Sequence, residues 1–268
     1  MALTIKPITI KQLEDFKSSS CLDLAWKVPF VLPNWLAGWW EIFGKHDDAF
    51  LQALYQEDRI IGITPLKLRG TSLSFMGDID TCDFQDFVIV KGYEDAFFNF
   101  LLKFLKHNNF HNLELAHVRP DSNVIERLLP IAEEQGFICS KIIDSISLEI
   151  ELPSEWETYL NILDKKQRHE IRRKIRRLEE TKDYHYYFKP GSDESEISTF
   201  LKLFSLCNHS KREFMTTRMT EFFRLMSKNM SKNNLMHFGC LDISGKRVAM
   251  IIVFDYNNTI YLYNSAFD

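Results

Sequence analysis

The sequence predicts a mixed α/β protein composed of two similar halves, at residues 1–151 and 152–268. The chain has 268 residues, and its 45% hydrophobic content can bury a sizeable core. Strand-like and helix-like periodicities alternate along it, which is typical of a mixed sheet with helices packed against it. A weak internal repeat supports two halves, because residues 55–62 and 242–250 both contain a strand, a polar turn, a basic residue and an apolar strand.

The first half is predicted to begin with a strand over 1–10 and a short helix over 11–19, followed by an aromatic-rich helix that Pro33 opens and Gly44 ends. Three strand-like runs separated by polar turns then predict an antiparallel meander, at 50–56, 59–68 and 73–76. After Asp86 the pattern becomes strand, helix, strand, helix and strand, at 87–90, 94–107, 113–117, 123–135 and 142–152.

The second half is predicted to begin after Pro153, where Ser154 and Glu157 have the spacing of a capping box. Apolar residues at steps of three and four predict one long helix over 156–178, and its other faces are strongly basic. Two more helices are predicted near 196–208 and 217–228. The half ends with a second meander, whose strands are expected at 235–243, 247–256 and 259–267.

Composition limits the class of protein. The formal net charge is -4, so any site for a polyanion must be local rather than a property of the whole chain. The five cysteines, at 21, 82, 139, 207 and 240, include no C-x-x-C pair, which favours reduced thiols in the cytoplasm. No signal sequence is evident, and no apolar run approaches the roughly 20 residues of a membrane span.

Five segments carry a family resemblance that extends over nearly the whole chain. They are Pro-Asn-Trp-Leu at 33–36 with Trp40 and Phe43-Gly44, Arg-Ile-Ile-Gly-Ile-Thr-Pro-Leu at 59–66, Asp-Thr-Cys-Asp-Phe-Gln-Asp-Phe at 80–87, the run from Trp156 through the basic stretch 165–179, and the closing stretch 260–268. In this order and spacing they resemble the CelD-like acetyltransferases. That family is a GNAT branch associated with cellulose and other exopolysaccharide synthesis, and it is related to the Fem aminoacyl transferases.

The resemblance implies an enzyme with two GNAT-like halves. It would transfer an acyl group, most simply acetyl from acetyl-CoA or another acyl-CoA, to an amine or hydroxyl of a sugar or cell-envelope precursor. No metal is required, because the amine attacks the thioester directly while the protein positions the reactants, supports the oxyanion and removes a proton.

The chain departs from the family at the acyl-donor site. A GNAT domain holds the CoA pyrophosphate on a Gly-containing loop and helix N-terminus after its fourth strand. In the first half this position has a single Gly92 followed by the acidic Glu94. In the second half the chain stops at Asp268, where such a loop would begin. We therefore expect a truncated second half, weak acyl-CoA binding, and a sheet edge beside Tyr261 and Tyr263 that favours a homodimer.

Two arginines of the basic stretch are candidate substrate-binding residues. Arg168 and Arg172 share a helix face at four-residue spacing, and their guanidinium groups suit phosphate or carboxylate. Suitable ligands are CoA, a nucleotide-linked sugar or an acyl group carried by tRNA. The alternative is a solvated helix face, as charge runs usually are.

Four other residues are candidates for the site. Asp86 and Asp83 belong to an acidic segment that is suited to an amine acceptor, and Asp86 is the candidate base because it adjoins an apolar strand; the alternative is turn-forming aspartate. His209 is a second candidate base, and its alternative role is to complement a helix dipole. Trp35 is a candidate for stacking on a sugar ring, although a core position is the alternative.

Missing motifs exclude several enzyme classes. The chain lacks G-x-G-x-x-G, G-x-x-x-x-G-K-[ST], H-E-x-x-H and G-x-S-x-G, which argues against dinucleotide oxidoreductases, P-loop NTPases, zinc proteases and serine hydrolases. Two functions remain as rivals to acyl-CoA-dependent transfer. One is Fem-like transfer from aminoacyl-tRNA, and the other is a non-catalytic module that binds a polysaccharide or a partner protein.

Overall fold

The computed structural model describes residues 2–19, 23–78 and 80–268; Cys21 lies outside these ranges. The described chain forms a mixed α/β fold with two sheets, as predicted. The first sheet has the order β1-β2-β3-β4-β6, and β5 pairs with β3 beside this path. The second sheet has the order β10-β9-β8-β7. No helix of the described ranges is long and apolar enough to span a bilayer.

The first half contains six strands and four α-helices among its described residues. The strands are β1 (Leu3–Pro7), β2 (Asp48–Gln56), β3 (Arg59–Arg69), β4 (Ser72–Phe75), β5 (Val88–Ile89) and β6 (Asn112–Glu114). The helices are α1 (Ile10–Ser18), α2 (Pro33–Phe43), α3 (Glu94–His107) and α4 (Leu129–Glu134), and a π-helical turn at Val124–Leu128 precedes α4. The predicted helix over 94–107 is confirmed at both ends.

The second half contains four strands and five helices. In chain order they are α5 (Trp156–Ile162), α6 (Lys165–Glu180), β7 (Tyr184–Pro190), α7 (Glu194–Cys207), α8 (His209–Phe214), α9 (Thr217–Ser231), β8 (Met236–Ile243), β9 (Lys246–Tyr256) and β10 (Thr259–Phe267). The predicted closing meander is confirmed. Its tight turns have consecutive left-handed residues, Ser244 (φ 50°) with Gly245 (φ 71°) and Asn257 (φ 52°) with Asn258 (φ 57°), as type I′ hairpin turns require.

The larger hydrophobic core is shared by the two halves. Trp35 and Trp39 of α2 belong to the same buried cluster as Phe222 of α9. The two helices approach closely at Gly38, where an added Cβ would lie 3.3 Å from Nδ2 of Asn229. A second cluster belongs to the first half alone and fills the space between the first sheet and α3. The halves therefore share one core, and the boundary between residues 151 and 152 stays a prediction.

The predicted strand over 142–152 is absent, because residues 137–153 belong to no helix or strand. A strand needs backbone partners as well as alternating side chains, and no strand of the described chain pairs with this segment. Its apolar side chains are exposed, including Ile142 (85%) and Leu148 (93%). An ion pair between Glu149 and Arg119 ties the segment to the first half.

The predicted long helix over 156–178 is two helices instead. Asp164 interrupts it by capping α6: its side chain accepts from the Gln167 backbone N–H, and the Gln167 side chain accepts from the Asp164 N–H. The capping box predicted at Ser154 and Glu157 is not formed, because the N-cap residue of α5 is Glu155 and its side chain makes no capping hydrogen bond. Strand β7 and helix α8 were not predicted.

Candidate functional site

Two loops of the first half meet because the strands before them are parallel neighbours. β4 pairs with β6 in parallel, with Leu73 opposite Leu113. The loop after β4 and the loop after β6 therefore leave the same edge of the sheet, which is where ligands bind in many α/β proteins. We call the region formed by residues 80–85, residues 117–121 and the facing Tyr261 and Tyr263 of β10 the seam.

The second half holds the seam together through β10. The Tyr263 hydroxyl donates to the Thr81 carbonyl oxygen at 3.0 Å, and its ring packs against Trp35 and Phe254 with centroids 5.7 and 5.1 Å away. Thr81 also accepts from Trp39 Nε1 at 3.0 Å. The contacts of Tyr263 with Thr81 and Trp35 cross between the halves, so the second half helps to hold this loop in place.

Asp83 and His117 form an acid–imidazole neighbourhood at the seam. Asp83 is solvent-accessible, yet the surrounding protein raises the pKa of its carboxyl, and the charge of nearby His117 offsets part of that rise. His117 has a left-handed backbone (φ 56°), and its carbonyl accepts from the Gln85 N–H at 2.8 Å. Non-glycine residues in such conformations concentrate at functional sites.

Arg119 provides the positive charge of the seam. Its guanidinium lies 5.2 Å from the Phe84 ring centroid and forms ion pairs with Asp121 at 2.8 Å and with Glu149. Phe84 in turn makes an edge contact with Tyr261 at 6.3 Å. Burial raises the pKa of Tyr261, and the Arg119 charge acts in the opposite direction. The seam thus combines an acid, an imidazole, a cation and a phenol, which can orient a polar acceptor and receive its proton.

Asp86 lies behind the seam as a buried anchor. Its two oxygens accept from the backbone N–H groups of Phe87 at 2.8 Å and Asn123 at 2.9 Å, and Lys27 Nζ lies 3.9 Å away. Burial raises the pKa of Asp86 to about 6, against the effect of these hydrogen bonds. The contacts tie the start of the π-helical turn to β5. The catalytic role of Asp86 stays a prediction, and the observed contacts are those of a structural anchor.

The polar contacts of His209 do not involve the seam. It is the first residue of α8, its side chain is 78% exposed, and Nδ1 lies 3.2 Å from Glu213 on the same helix. No hydrogen bond or ion pair of the described residues joins it to Asp83 or Asp86. The structure does not bring together the two residues that the sequence analysis named as bases.

Trp35 lies in the core, and Arg168 and Arg172 contact helix α5. Trp35 is 1% exposed, and its ring is enclosed by Phe30, Phe222, Phe254 and Tyr263. It has no free face for a sugar, so the structure favours the core alternative. Arg168 and Arg172 face α5, where they donate to Asn161 at 2.9 Å and Glu157 at 2.7 Å.

The helix N-termini next to the sheets fit a pyrophosphate poorly. At the start of α3 the Gly92 N–H donates to the carboxylate of Glu94 at 2.8 Å, and Asp95 follows in the first turn. At the start of α7 the Asp193 carboxylate accepts from the Ser195 N–H at 2.9 Å. Carboxylates therefore occupy the positive helix ends that phosphate oxygens would need. We assign no contact to the CoA pyrophosphate at either end.

One protein-family model matches part of the chain. Residues 165–268 match the family model described as an acetyltransferase (GNAT) domain. The C-terminal half is similar to GNAT domains. This match supports acyl transfer as the general reaction class, and it agrees with the GNAT part of the sequence-based resemblance. The narrower relation to the CelD-like and Fem families stays a prediction.

One solved structure has a similar fold over the whole chain. A conserved protein of unknown function from Bacteroides thetaiotaomicron VPI-5482 has a similar crystal structure, with a TM-score of 0.53 and 15% identity. The alignment covers 100% of this chain and 81% of that chain, and it shows a shared fold. No curated protein sequence matches the chain.

The sequence analysis included Asp83 but missed His117, Arg119 and Tyr261. One local signal was available, because His117 ends a predicted strand and Arg119 follows it, and residues at the carboxyl end of a strand often bind ligands. The contribution of Tyr261 had no comparable signal, since 178 positions separate it from Asp83. Only the packing of β10 against the first half brings it to the seam.

Proposed function

We propose that the chain takes part in GNAT-type acyl transfer from an acyl thioester, such as acetyl-CoA, to an amine or hydroxyl of a saccharide or cell-envelope precursor. The observation that carries the reaction class is the match of residues 165–268 with GNAT domains. We place the acceptor site at the seam, where an accessible acid (Asp83), an imidazole (His117) and a cation (Arg119) of the first half lie near β10 of the second half.

The reaction requires little covalent chemistry from the protein. The acceptor nitrogen or oxygen forms a bond to the acyl carbon, the carbon–sulfur bond breaks, and the acceptor proton leaves. In this proposal His117 and Asp83 receive that proton, and Arg119 with Tyr261 orients a polar acceptor. The donor's binding residues are left unassigned, since both helix N-termini described above are acidic.

An acyl-transfer assay tests this proposal. The wild-type chain is incubated with acetyl-CoA and a panel of amino sugars and sugar alcohols, and released thiol and acylated product are both measured. We expect His117→Gln to lower kcat by about 10²-fold or more, as loss of a positioned proton acceptor does, and Asp83→Asn to lower it less. His209→Gln is the matched control and should retain wild-type kcat. Equal activity of His117→Gln and wild type would remove the seam from the reaction.

A second candidate function uses a different donor. Helix α6 carries eight Lys and Arg residues against three Glu, and it has no buried residue, so it is available to a charged tRNA as in Fem-like transfer. Thermal shift with acetyl-CoA and with aminoacyl-tRNA separates the donors. Stabilisation by tRNA that Arg168→Gln/Arg172→Gln abolishes would favour the second. Saccharide binding without any transfer would indicate a non-catalytic module.

A further inference from the structure

Helices α5 and α6 form an arm that is poorly connected to the cores of either half. Leu160 is the only residue of the two helices, both fully described, that is buried, and none is buried in α6. The arm still folds in a defined way, because Asp164 caps α6 and ion pairs join Arg172 to Glu157 at 2.7 Å and Arg173 to Glu170 at 2.5 Å. A well-formed helix with an unburied surface needs an explanation for its side-chain pattern.

Helix α6 is amphipathic although it covers no core. Ile171, Ile175 and Leu178 form one apolar stripe at steps of four and three residues, and each of them remains half-buried. At about 100° per residue, Arg168 and Arg172 flank this stripe on one side and Lys174 on the other. A solvated helix has no need of the stripe, and a core helix would bury it.

More apolar surface continues from the stripe onto α5. Ile171 lines a shallow hollow together with Leu152, Trp156 and Tyr159. Trp156 is 51% exposed and Leu152 is 68% exposed, and the Trp156 ring stacks on Tyr159 with centroids 5.3 Å apart. The exposed tryptophan and the apolar stripe therefore belong to one continuous surface.

The basic residues of helix α6 indicate which kind of partner binds this surface. Lys165, Lys166, Arg176 and Arg177 form no ion pair with any described residue, so their charge is available to an anion. A nucleic acid would use these cations but not the apolar stripe or Trp156. A second copy of the arm would bring like charges together, which is unfavourable. An anionic bilayer matches both parts, because basic amphipathic helices with an aromatic residue bind in the headgroup region.

We propose that the α5–α6 arm is a peripheral binding surface for anionic membranes. The stripe of Ile171, Ile175 and Leu178 enters the interface together with Trp156. Basic residues contact lipid phosphates or carboxylates, both beside the stripe (Arg168, Arg172 and Lys174) and about 120° from it, where long side chains reach the headgroups (Lys165 and Arg177). This binding does not depend on acyl transfer, so the two proposals fail separately. Its consequence is that an acceptor at a membrane surface would be presented close to the second half.

Vesicle co-sedimentation with the full chain tests the proposal. We expect binding to vesicles of phosphatidylcholine with phosphatidylglycerol, and little binding to phosphatidylcholine alone or at high salt. Lys174→Gln/Arg177→Gln should weaken binding about tenfold or more, because each basic residue near an anionic surface contributes substantially. The matched control Lys202→Gln/Lys228→Gln makes the same charge change on α7 and α9 and should bind like wild type. Equal binding of the two double variants overturns the proposal.

The apolar part is tested separately. Ile175→Gln/Leu178→Gln should lower vesicle binding while leaving the thermal melt unchanged, because neither side chain belongs to a buried cluster. Trp156 emission should shift to the blue on anionic vesicles, and Trp156→Phe should lose that shift. Binding to tRNA with no vesicle binding, or a dimer that Ile175→Gln/Leu178→Gln dissociates with no vesicle binding, would overturn the proposal in favour of those partners.

Discussion

The two sheets differ in how many of their faces are covered. In the first half, α2 belongs to the core on one face and α3 covers the other, where Phe75 is 2% exposed. In the second half, α7 and α9 cover one face, while the other exposes Tyr186 (77%) and Phe188 (66%). The two meanders have similar strand patterns, but their apolar side chains are therefore buried to different extents.

The uncovered face is apolar because of its cross-strand register. Phe188, Gly239 and Ile251 occupy one row across β7, β8 and β9. An added Cβ at Gly239 would lie 2.6 Å from Ile251 Cγ1 and 3.2 Å from Phe188 Cε1, so the glycine allows the two large side chains to approach. Alternation along a strand predicts its two faces, but it does not state whether a neighbouring layer lies on each of them.

The largest expected effect concerns the core that joins the halves. Phe222 is fully buried and packs against Trp35 and Phe43 of the first half. Phe222→Ala should lower the free energy of unfolding by about 3–5 kcal/mol, as loss of a buried aromatic side chain does. Hydrogen exchange should show reduced protection in both sheets. Loss of protection confined to β7–β10 would contradict a shared core.

The second prediction contrasts one buried acid from each half. Glu196 is 5% exposed and pairs with Arg247 and with Lys189 at 2.5 Å. Burial acts to raise its pKa, but the hydrogen bonds from Arg247 and Lys189 outweigh burial and lower it. Its contribution to stability is present above the unfolded pKa and is lost as the pH falls below about 4. Glu196→Gln should cost about 1–3 kcal/mol near neutral pH, because Arg247 and Lys189 lose a charged hydrogen-bond partner, although Arg247 keeps its ion pair with Asp242.

Asp86 has the opposite dependence on pH. Its pKa is raised to about 6, so the stability it contributes is greatest below the unfolded pKa and falls as the pH rises through about 4 to 6. Asp86→Asn should remove that loss while costing about 1–3 kcal/mol through a lost hydrogen bond. Denaturant unfolding of both variants from pH 4 to pH 7 measures the two slopes, with the exposed Asp48→Asn as control. Parallel profiles for the two variants would contradict the assignment.

The smallest effect is expected on the uncovered face. Phe188→Ser should change the free energy of unfolding by less than about 0.5 kcal/mol, as surface substitutions usually do. The matched change Phe75→Ser in the covered sheet should cost about 3 kcal/mol or more. Thermal melts of the two variants give the comparison directly. A large loss from Phe188→Ser would mean that another part of the protein covers this face.

Sequence patterns were most informative where a structure depends on near neighbours. The helix over 94–107 and both meanders were predicted because apolar periodicity and turn residues act within a few positions. The strand over 142–152 failed although its alternation is strong, since strand pairing requires a partner elsewhere in the chain. The break at Asp164 was missed because a helix-compatible apolar spacing continues across it, and the capping hydrogen bonds decide the boundary.

The residues of the candidate site were only partly predicted from the sequence. Asp83 was found from the acidic segment, and Trp35 was assigned both a site role and a core role. Burial favours the core role for Trp35, and it gives Asp86 the contacts of an anchor. His117 and Tyr261 reach the seam through the parallel pairing of β4 with β6 and the packing of β10, neither of which is encoded in a local motif.

The sequence by itself determined the fold class, most helices and the turns of the meanders, because side-chain period and backbone preference are local properties. The tertiary structure alone decided which apolar residues are covered, which acid has a raised pKa and which polar residues meet at the seam. These outcomes depend on contacts between residues far apart in the chain, where burial and charge act together. Phe84 and Tyr261 show the difference most directly, since only the contact between the halves makes them neighbours.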